Sequence, residues 1–255
     1  LSNHQNIHLI DFHAHLDNSK ERLDQLFIAQ ENSGIEKTVI VSGNLIEPAN
    51  LGDFLRGTES VKNYEPNNAY LLDIAKANPA RLIPFFTVDP SYHIAEDIEE
   101  AMKLGFRGFK FNPLVHKIDF RSDSVRNICA AINTYSAPIY THITLNPASS
   151  IEALADLAQA HQKINFVLGH MGYATSDQMA LNLAERRENI YLETSVGSIL
   201  AFRCAKERNL RNKVIFGSEY PAHEPSIELG KLALIFSQDD LALIGRANAQ
   251  FILGI

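Results

Sequence analysis

Short apolar runs alternate with longer amphipathic ones along nearly the whole chain. The first apolar run, Ile7-His8-Leu9-Ile10, leads directly into Asp11-Phe12-His13-Ala14-His15. Runs rich in β-branched and aromatic residues recur at 37–41, 82–88, 106–111, 138–142, 165–168, 190–194 and 214–217, and each reads as a strand. Between them the apolar spacing changes to that of a helix. Helices are expected over 20–32, closed by Gly34, over 68–77, over 94–104, closed by Gly105, and over 123–135. A further helix starts at Ser149, where Glu152 completes a capping-box spacing. It places Ile151, Leu154, Leu157 and Ala158 on one face. Segments 176–187 and 199–208 follow, and 226–236 and 239–253 close the chain.

The stretch from Asn44 to Pro66 breaks this rhythm. Loops of that length are uncommon and often functional, and it reads as a lid with a helical turn or two around Leu51 to Arg56. Eight strands, each followed by a helix, imply a parallel sheet, and at this length a closed one. The expected class is α/β, a single (β/α)8 TIM barrel in one domain over residues 1–255. An open doubly wound sheet is the alternative. Against it, no Gly-rich phosphate fingerprint follows the first strand, where a His pair stands instead.

Composition narrows the function classes. The chain has 255 residues, 45% of them hydrophobic, and can bury roughly 70–75% of its unfolded surface without staples. Its net charge of −7 argues against a general nucleic-acid binder. No run of about 18 apolar residues is present, so no membrane span is expected. Cys129 and Cys204 are the only cysteines. Two reduced, buried thiols in a cytoplasmic protein are the expected reading, with one disulfide as the alternative. The start, Leu1-Ser2-Asn3-His4-Gln5, lacks the pattern of a signal peptide and, with no initiator Met, leaves open a removed leader.

In a barrel the strand C-termini converge on one mouth, where active sites lie. Collecting polar residues there gives His13 and His15 from the first strand, Lys110 and Asn112 from the fourth, and His142 from the fifth. His170 follows the sixth strand in Gly169-His170-Met171-Gly172, Thr194 and Ser195 end the seventh, and Glu219 follows the eighth. Side chains two apart on a strand point the same way, so His13 and His15 can grip one ion. Four histidines and a carboxylate at one mouth are hard to explain as packing.

These motifs resemble the amidohydrolase superfamily of metal-dependent barrels, in particular the branch that includes aminocarboxymuconate-semialdehyde decarboxylase. The resemblance runs from Asp11 to the Gly245-Arg246-Ala247-Asn248-Ala249 segment. It implies that His13, His15 and His142 ligate one metal and that His170 is an acid/base or electrophilic histidine beside it. The strand-eight carboxylate, usually Asp, would ligate the metal and take a proton from its water. Here it is Glu219, one methylene longer, which either reaches the metal or holds its water from further out. Asp11, on the face of His13, is expected below the metal as a hydrogen-bond acceptor, or else in a buried ion pair. In some relatives a strand-four Lys is carboxylated and bridges two metals. Lys110 is expected instead to meet a substrate anion or the metal's water, or to pair with a carboxylate such as Asp11.

Asn112, His116, Tyr173 and His223 lie just beyond strand ends and are candidates for shaping the substrate pocket. Arg56 and Arg121 are candidates for a substrate carboxylate, with solvation at the surface as the ordinary reading. His4, His8, His93 and His161 read as structural or exposed. Three histidines and a carboxylate with an open position suit a catalytic metal. Zinc is the first choice, with manganese, iron and cobalt as alternatives. The implied activity is hydrolysis of a small carboxylate, lactone, ester or amide. Glu219 would take a proton from water, and His170 would stabilise the oxyanion. The rivals are non-oxidative decarboxylation or hydration of an unsaturated acid at the same site, and a barrel that has lost catalysis and only binds. The partner implied is a small molecule, and the outer helices and lid offer surface for a homodimer.

Overall fold

The computed structural model describes residues 8–16, 19–42, 65–173 and 176–255. The expected lid up to residue 64, with Arg56, and the N-terminal His4 lie outside the described residues. Eight parallel strands run in chain order: β1 (Leu9–Leu16), β2 (Ile35–Ser42), β3 (Leu82–Val88), β4 (Gly108–Phe111), β5 (Ile139–Thr141), β6 (Phe166–Leu168), β7 (Ile190–Glu193) and β8 (Val214–Ile215). Each is hydrogen-bonded to the next. Phe12 N–H donates to Phe216 O at 3.0 Å, and His15 N–H to Tyr220 O at 2.7 Å, so the end of β8 returns to β1 and the sheet becomes a (β/α)8 barrel.

The outer layer is helical: α1 (Lys20–Ser33), α2 (Asn68–Ala77), α3 (Ala95–Leu104), α4 (Asp123–Tyr135), α5 (Ile151–Ala160), α6 (Gln178–Arg186), α7 (Ile199–Glu207), α8 (Pro225–Ala233), α9 (Gln238–Ala242) and α10 (Asn248–Leu253). Local chemistry sets their ends. The Ser19 side chain accepts from Arg22 N–H to start α1, and Gly34 ends it in the left-handed region at φ 69°. The cap of α5 is Ser150, whose side chain accepts from Ala153 N–H. Ser149, the expected cap, is buried one residue earlier, its Oγ 2.6 Å from Thr144 Oγ1. The expected last helix is divided by a π-helical turn over Leu243–Ala247.

β1 carries the His pair, as expected, and runs on to Leu16, but it departs from regular alternation. Asp11 pairs with Thr38 and Ala14 with Ile40, so three steps on β1 face two on β2. The extra residue is a β-bulge, which changes the side-chain parity. Ile10 and Phe12 belong to the apolar cluster inside the barrel, whereas Ala14 and Leu16 belong to the layer between sheet and helices. His13 and His15 therefore turn inward above Phe12, and Asp11 does not share their face by simple alternation.

The barrel interior has an apolar floor. Phe12 meets Phe85 edge-on, with centroids 5.7 Å apart, among Val39, Val41, Val167 and Ile215. A β-carbon at Gly108 would lie 2.4 Å from the Phe85 ring, so this inward position of β4 admits only glycine. Among the described residues no helix is long and apolar enough to cross a membrane. Cys129 is buried as expected, but Cys204 is only half-buried, and both are free thiols.

Gly108→Ala is expected to destabilise the barrel by about 1–3 kcal/mol through overpacking against Phe85. Gly230→Ala, in α8 with nothing within 4 Å of the added carbon, is expected to stabilise it by about 0.5–1 kcal/mol through helix propensity. Urea unfolding midpoints of the two variants should move in opposite directions.

Candidate metal centre

The mouth of the barrel is assembled from β1 and β8 first. The bulge directs His13 inward, and its ring stacks on Tyr140 of β5, with centroids 4.0 Å apart and planes 17° apart. Asp11, fully buried, holds the bulge: its Oδ1 accepts from His13 N–H at 3.1 Å and from Ser218 N–H at 2.9 Å. Its Oδ2 accepts from the Ser218 hydroxyl at 2.6 Å. The next residue, Glu219, takes the left-handed region at φ 61°, and its N–H donates to His13 O at 2.9 Å. A non-glycine residue there carries strain, which its surroundings must hold in place.

That backbone brings the Glu219 carboxylate between two imidazoles. Oε2 lies 2.8 Å from His13 Nε2, and Oε1 lies 3.2 Å from His15 Nε2. The three side chains offer ligand atoms all within 4.8 Å of one another, and all three residues are buried. Among the described residues, no ring nitrogen of His13 or His15, nor Glu219 Oε2, has a partner in hydrogen-bond geometry. Buried polar atoms are rarely left so, and each orphan costs about 1–3 kcal/mol. The donor set, two imidazoles and a carboxylate, is that of a divalent metal site, and the orphaned atoms fit one.

Electrostatics agree with this fit. Burial pushes the His13 imidazole well below its ordinary range, leaving it neutral and able to coordinate. Burial opposes the charge on Glu219, but the imidazoles of His13, His15 and His170 outweigh it and hold the carboxyl well below the usual range. Burial raises the Asp11 carboxyl to about 7, against the pull of its bonds from Ser218 and His13.

His142, just past β5, does not join the three-residue set. Its ring stacks on His170 at 4.7 Å, and its Nε2 lies 3.1 Å from Lys110 Nζ. Burial also pushes this imidazole well below its ordinary range, with Lys110 adding to the effect. Lys110 is 1% exposed and stands 4.0 Å over the Tyr140 ring. The pairing with Asp11 offered by the sequence is not formed, because Asp11's oxygens are taken by Ser218 and His13. Burial lowers the Lys110 ammonium from 10.5 to about 7, against the attraction of Glu219 and Glu193.

His170 sits at φ 61° beyond β6, its Nε2 4.0 Å from Glu219 Oε2. Behind it lies a residue that sequence reasoning passed over. Glu193, the last residue of β7, is fully buried and accepts from the hydroxyls of Tyr140 at 2.7 Å and Ser195 at 2.8 Å. A β-carbon at Gly217 would lie 2.2 Å from Glu193 Oε1, so that glycine makes room for the carboxylate. The signal was present in Ile190-Tyr191-Leu192-Glu193, a carboxylate closing an otherwise apolar barrel strand. In the sequence Tyr140 likewise stands out only as part of a strand.

The remaining candidates are less central. Asn112 caps the short helical turn Pro113–His116, its side chain accepting from Val115 N–H, and His116 ends that turn. Tyr173 is 40% exposed and donates its N–H to Asp177. His223 Nδ1 lies 3.7 Å from Glu228 Oε1. Arg121 pairs with Asp156 at 3.0 Å, the surface role expected of it. His8 is exposed, His93 accepts from Asp89 N–H, and His161 caps α5, all as the sequence suggested.

Comparison with known proteins supports this fold. An uncharacterised TIM-barrel protein from Bordetella bronchiseptica superposes with a TM-score of 0.78 at 17% identity, covering 97% of this chain and 99% of that one. A probable 2-pyrone-4,6-dicarboxylic acid hydrolase from Acinetobacter baumannii, with citric acid bound, gives 0.69 at 15% identity, covering 98% and 100%. A 5-carboxyvanillate decarboxylase from Novosphingobium aromaticivorans, with bound manganese and 3-methoxy-4-hydroxy-5-nitrobenzoic acid, gives 0.72 at 14% identity, covering 99% and 98%. At such identities the likeness establishes the fold. No curated protein matches the chain. The family model for amidohydrolases matches residues 10–255, nearly the whole length, and the chain therefore belongs to the amidohydrolase family.

Proposed function

We propose that the protein is a metal-dependent enzyme hydrolysing a small carboxylate, lactone, ester or amide at the barrel mouth. The observation that carries this reading is the set of buried, orphaned ligand atoms on His13, His15 and Glu219. His142, whose Nε2 lies 3.1 Å from Lys110 Nζ, would be the fourth residue to hold the ion. Zinc is the first choice, and the manganese in the similar decarboxylase keeps that metal beside it. The ion supplies a Lewis-acidic charge that polarises a bound oxygen and lowers the pKa of water. Glu219, low in pKa and wedged between the rings, takes a proton at an oxygen and returns it to the leaving group. His170 faces the same space through Nε2 and, as imidazolium, donates to a developing oxyanion. Lys110 is the buried cation for a substrate carboxylate, and Asn112, His116, Tyr173 and His223 are assigned to shaping the substrate pocket.

Non-oxidative decarboxylation is the second reading. Two features favour it: the buried ammonium of Lys110 beside the site and the fold shared with a carboxyvanillate decarboxylase. Release of CO2 separates it from hydrolysis, and loss of a carbon–carbon double bond would mark a hydratase. A metal-loaded protein inert toward carboxylate, ester, lactone and amide panels would point to a binding role instead.

Protein purified without added metal is expected to carry about one divalent ion per chain by elemental analysis, as suits a mononuclear site. His13→Ala should abolish both metal and turnover; normal turnover in a metal-free His13→Ala protein would overturn the proposal. Glu219→Gln should retain part of the metal and lose about 100-fold or more in kcat, the scale of a lost general base. For an anionic substrate KM should rise as pH passes about 7, where Lys110 loses its charge, and Lys110→Met should remove that dependence.

A further inference from the structure

The geometry points to Glu193 as a positioning residue that, through Ser195, fixes His170 as its Nδ1–H tautomer and leaves the Nε2 lone pair facing Glu219. The inference deepens the reading of His170 as the residue that meets the developing oxyanion, and rests on that reading for its consequence.

Four donors converge on the Glu193 carboxylate. Oε1 accepts from Ser195 N–H at 2.5 Å. Oε2 accepts from the Tyr140 hydroxyl at 2.7 Å, the Ser195 hydroxyl at 2.8 Å and His170 N–H at 3.3 Å. Three of the four bonds fall on Oε2, so that oxygen is committed to this network. Every donor belongs to the site: Tyr140 stacks on His13, and the other three come from His170 and its neighbour.

The direction of each bond follows from proton counting. A hydroxyl has one proton, and that of Ser195 is spent on Glu193. Towards His170 Nδ1, 3.0 Å away, Ser195 Oγ can then only accept. The Ser195 carbonyl oxygen, 3.1 Å from the same nitrogen, can only accept as well. Two acceptors facing one ring nitrogen require the proton on that nitrogen. Neutral His170 therefore carries no proton on Nε2, the atom 4.0 Å from Glu219 Oε2. In water the opposite tautomer of imidazole is favoured, so the arrangement reverses an intrinsic preference.

The consequence separates two roles that sequence alone leaves together. His170 cannot donate from Nε2 as a neutral ring. It accepts a proton there, or donates one only as imidazolium. Glu193 also anchors the backbone of His170, which lies in the left-handed region, so one carboxylate sets both the ring's position and its proton.

The test is two-bond 1H–15N correlation spectroscopy on metal-free full-length protein labelled at histidine, at alkaline pH where the ring is neutral. The His170 signals are assigned by their loss in His170→Asn. The expected result is a predominantly Nδ1–H His170 in the wild type, moving in part toward Nε2–H in both Glu193→Gln and Ser195→Ala, in which the Ser195 carbonyl acceptor remains. A wild-type His170 that is mainly Nε2–H overturns the inference without any variant. An unchanged tautomer in a folded Glu193→Gln protein overturns it too, making Glu193 a purely structural residue. Metal titration of the wild-type sample tests the metal reading separately: failure to take up zinc or manganese would sink that reading and leave the tautomer result standing.

Discussion

The carboxylate of Asp11 is the constraint on which the rest of the site depends. It lies where β8 closes onto β1, and its oxygens collect the backbone N–H of His13 and both the N–H and hydroxyl of Ser218. The first bond takes His13 N–H away from the ladder and makes the bulge. The other two pin the residue before Glu219, whose backbone sits at φ 61°. Without the bulge, alternation would keep Phe12 inward and send His13 outward, because one residue of register inverts every following side chain. A single buried acceptor thus sets the inward parity of both histidines and the left-handed turn that returns Glu219 to them.

The barrel separates its costs by layer. Below the site Phe12, Phe85, Val39, Val167 and Ile215 form a floor that buries apolar area. Above it, His13, His15 and Glu219 bring ligand atoms out of water without hydrogen bonds to repay them. Such a layer is tolerable because the floor and the shell between sheet and helices supply the stability. A cation at the three-residue set would offset the cost, since neutral imidazoles and an ionised carboxylate are the forms that coordinate. Lys110 fits the same logic from the opposite sign. Its ammonium is buried over the Tyr140 ring and touches a neutral imidazole, so desolvation dominates its pKa.

The alternation of strands and helices was legible because each element is amphipathic at its own period, and Gly34 and Gly105 end helices at left-handed positions as their residue type suggests. His13, His15 and Glu219 were legible because strand ends meet in a barrel whatever the loops do. The bulge was not, since nothing in Asp11-Phe12-His13 distinguishes an extra residue from regular alternation; the partner that holds it, Ser218, is over two hundred positions away. Glu193 was missed for a related reason. Its importance lies in Tyr140 of β5 and His170 beyond β6 as well as in Ser195 two residues on, and pattern reading along one strand cannot see the two distant partners. The contact between Lys110 and His142 likewise depends on the register of β4 on β5, where Lys110 pairs with Tyr140.

The resemblance seen in the sequence leads one to expect Asp where Glu219 stands, and the local geometry suits the longer side chain. Its backbone is fixed at both ends, by N–H donation to His13 O and by Ser218 held on Asp11, so the turn cannot shift to adjust reach. The carboxylate position is then set by side-chain length alone. The extra methylene extends it by about 1.5 Å, one C–C bond. From there Oε2 reaches His13 Nε2 at 2.8 Å while Oε1 reaches His15 Nε2 at 3.2 Å, one oxygen to each ring. An Asp on the same backbone would draw the carboxylate back from the pair toward its own turn. The replacement is therefore matched to a turn that leaves the longer residue in contact with both histidines, and a carboxylate so placed keeps the capacity for ligation and proton transfer.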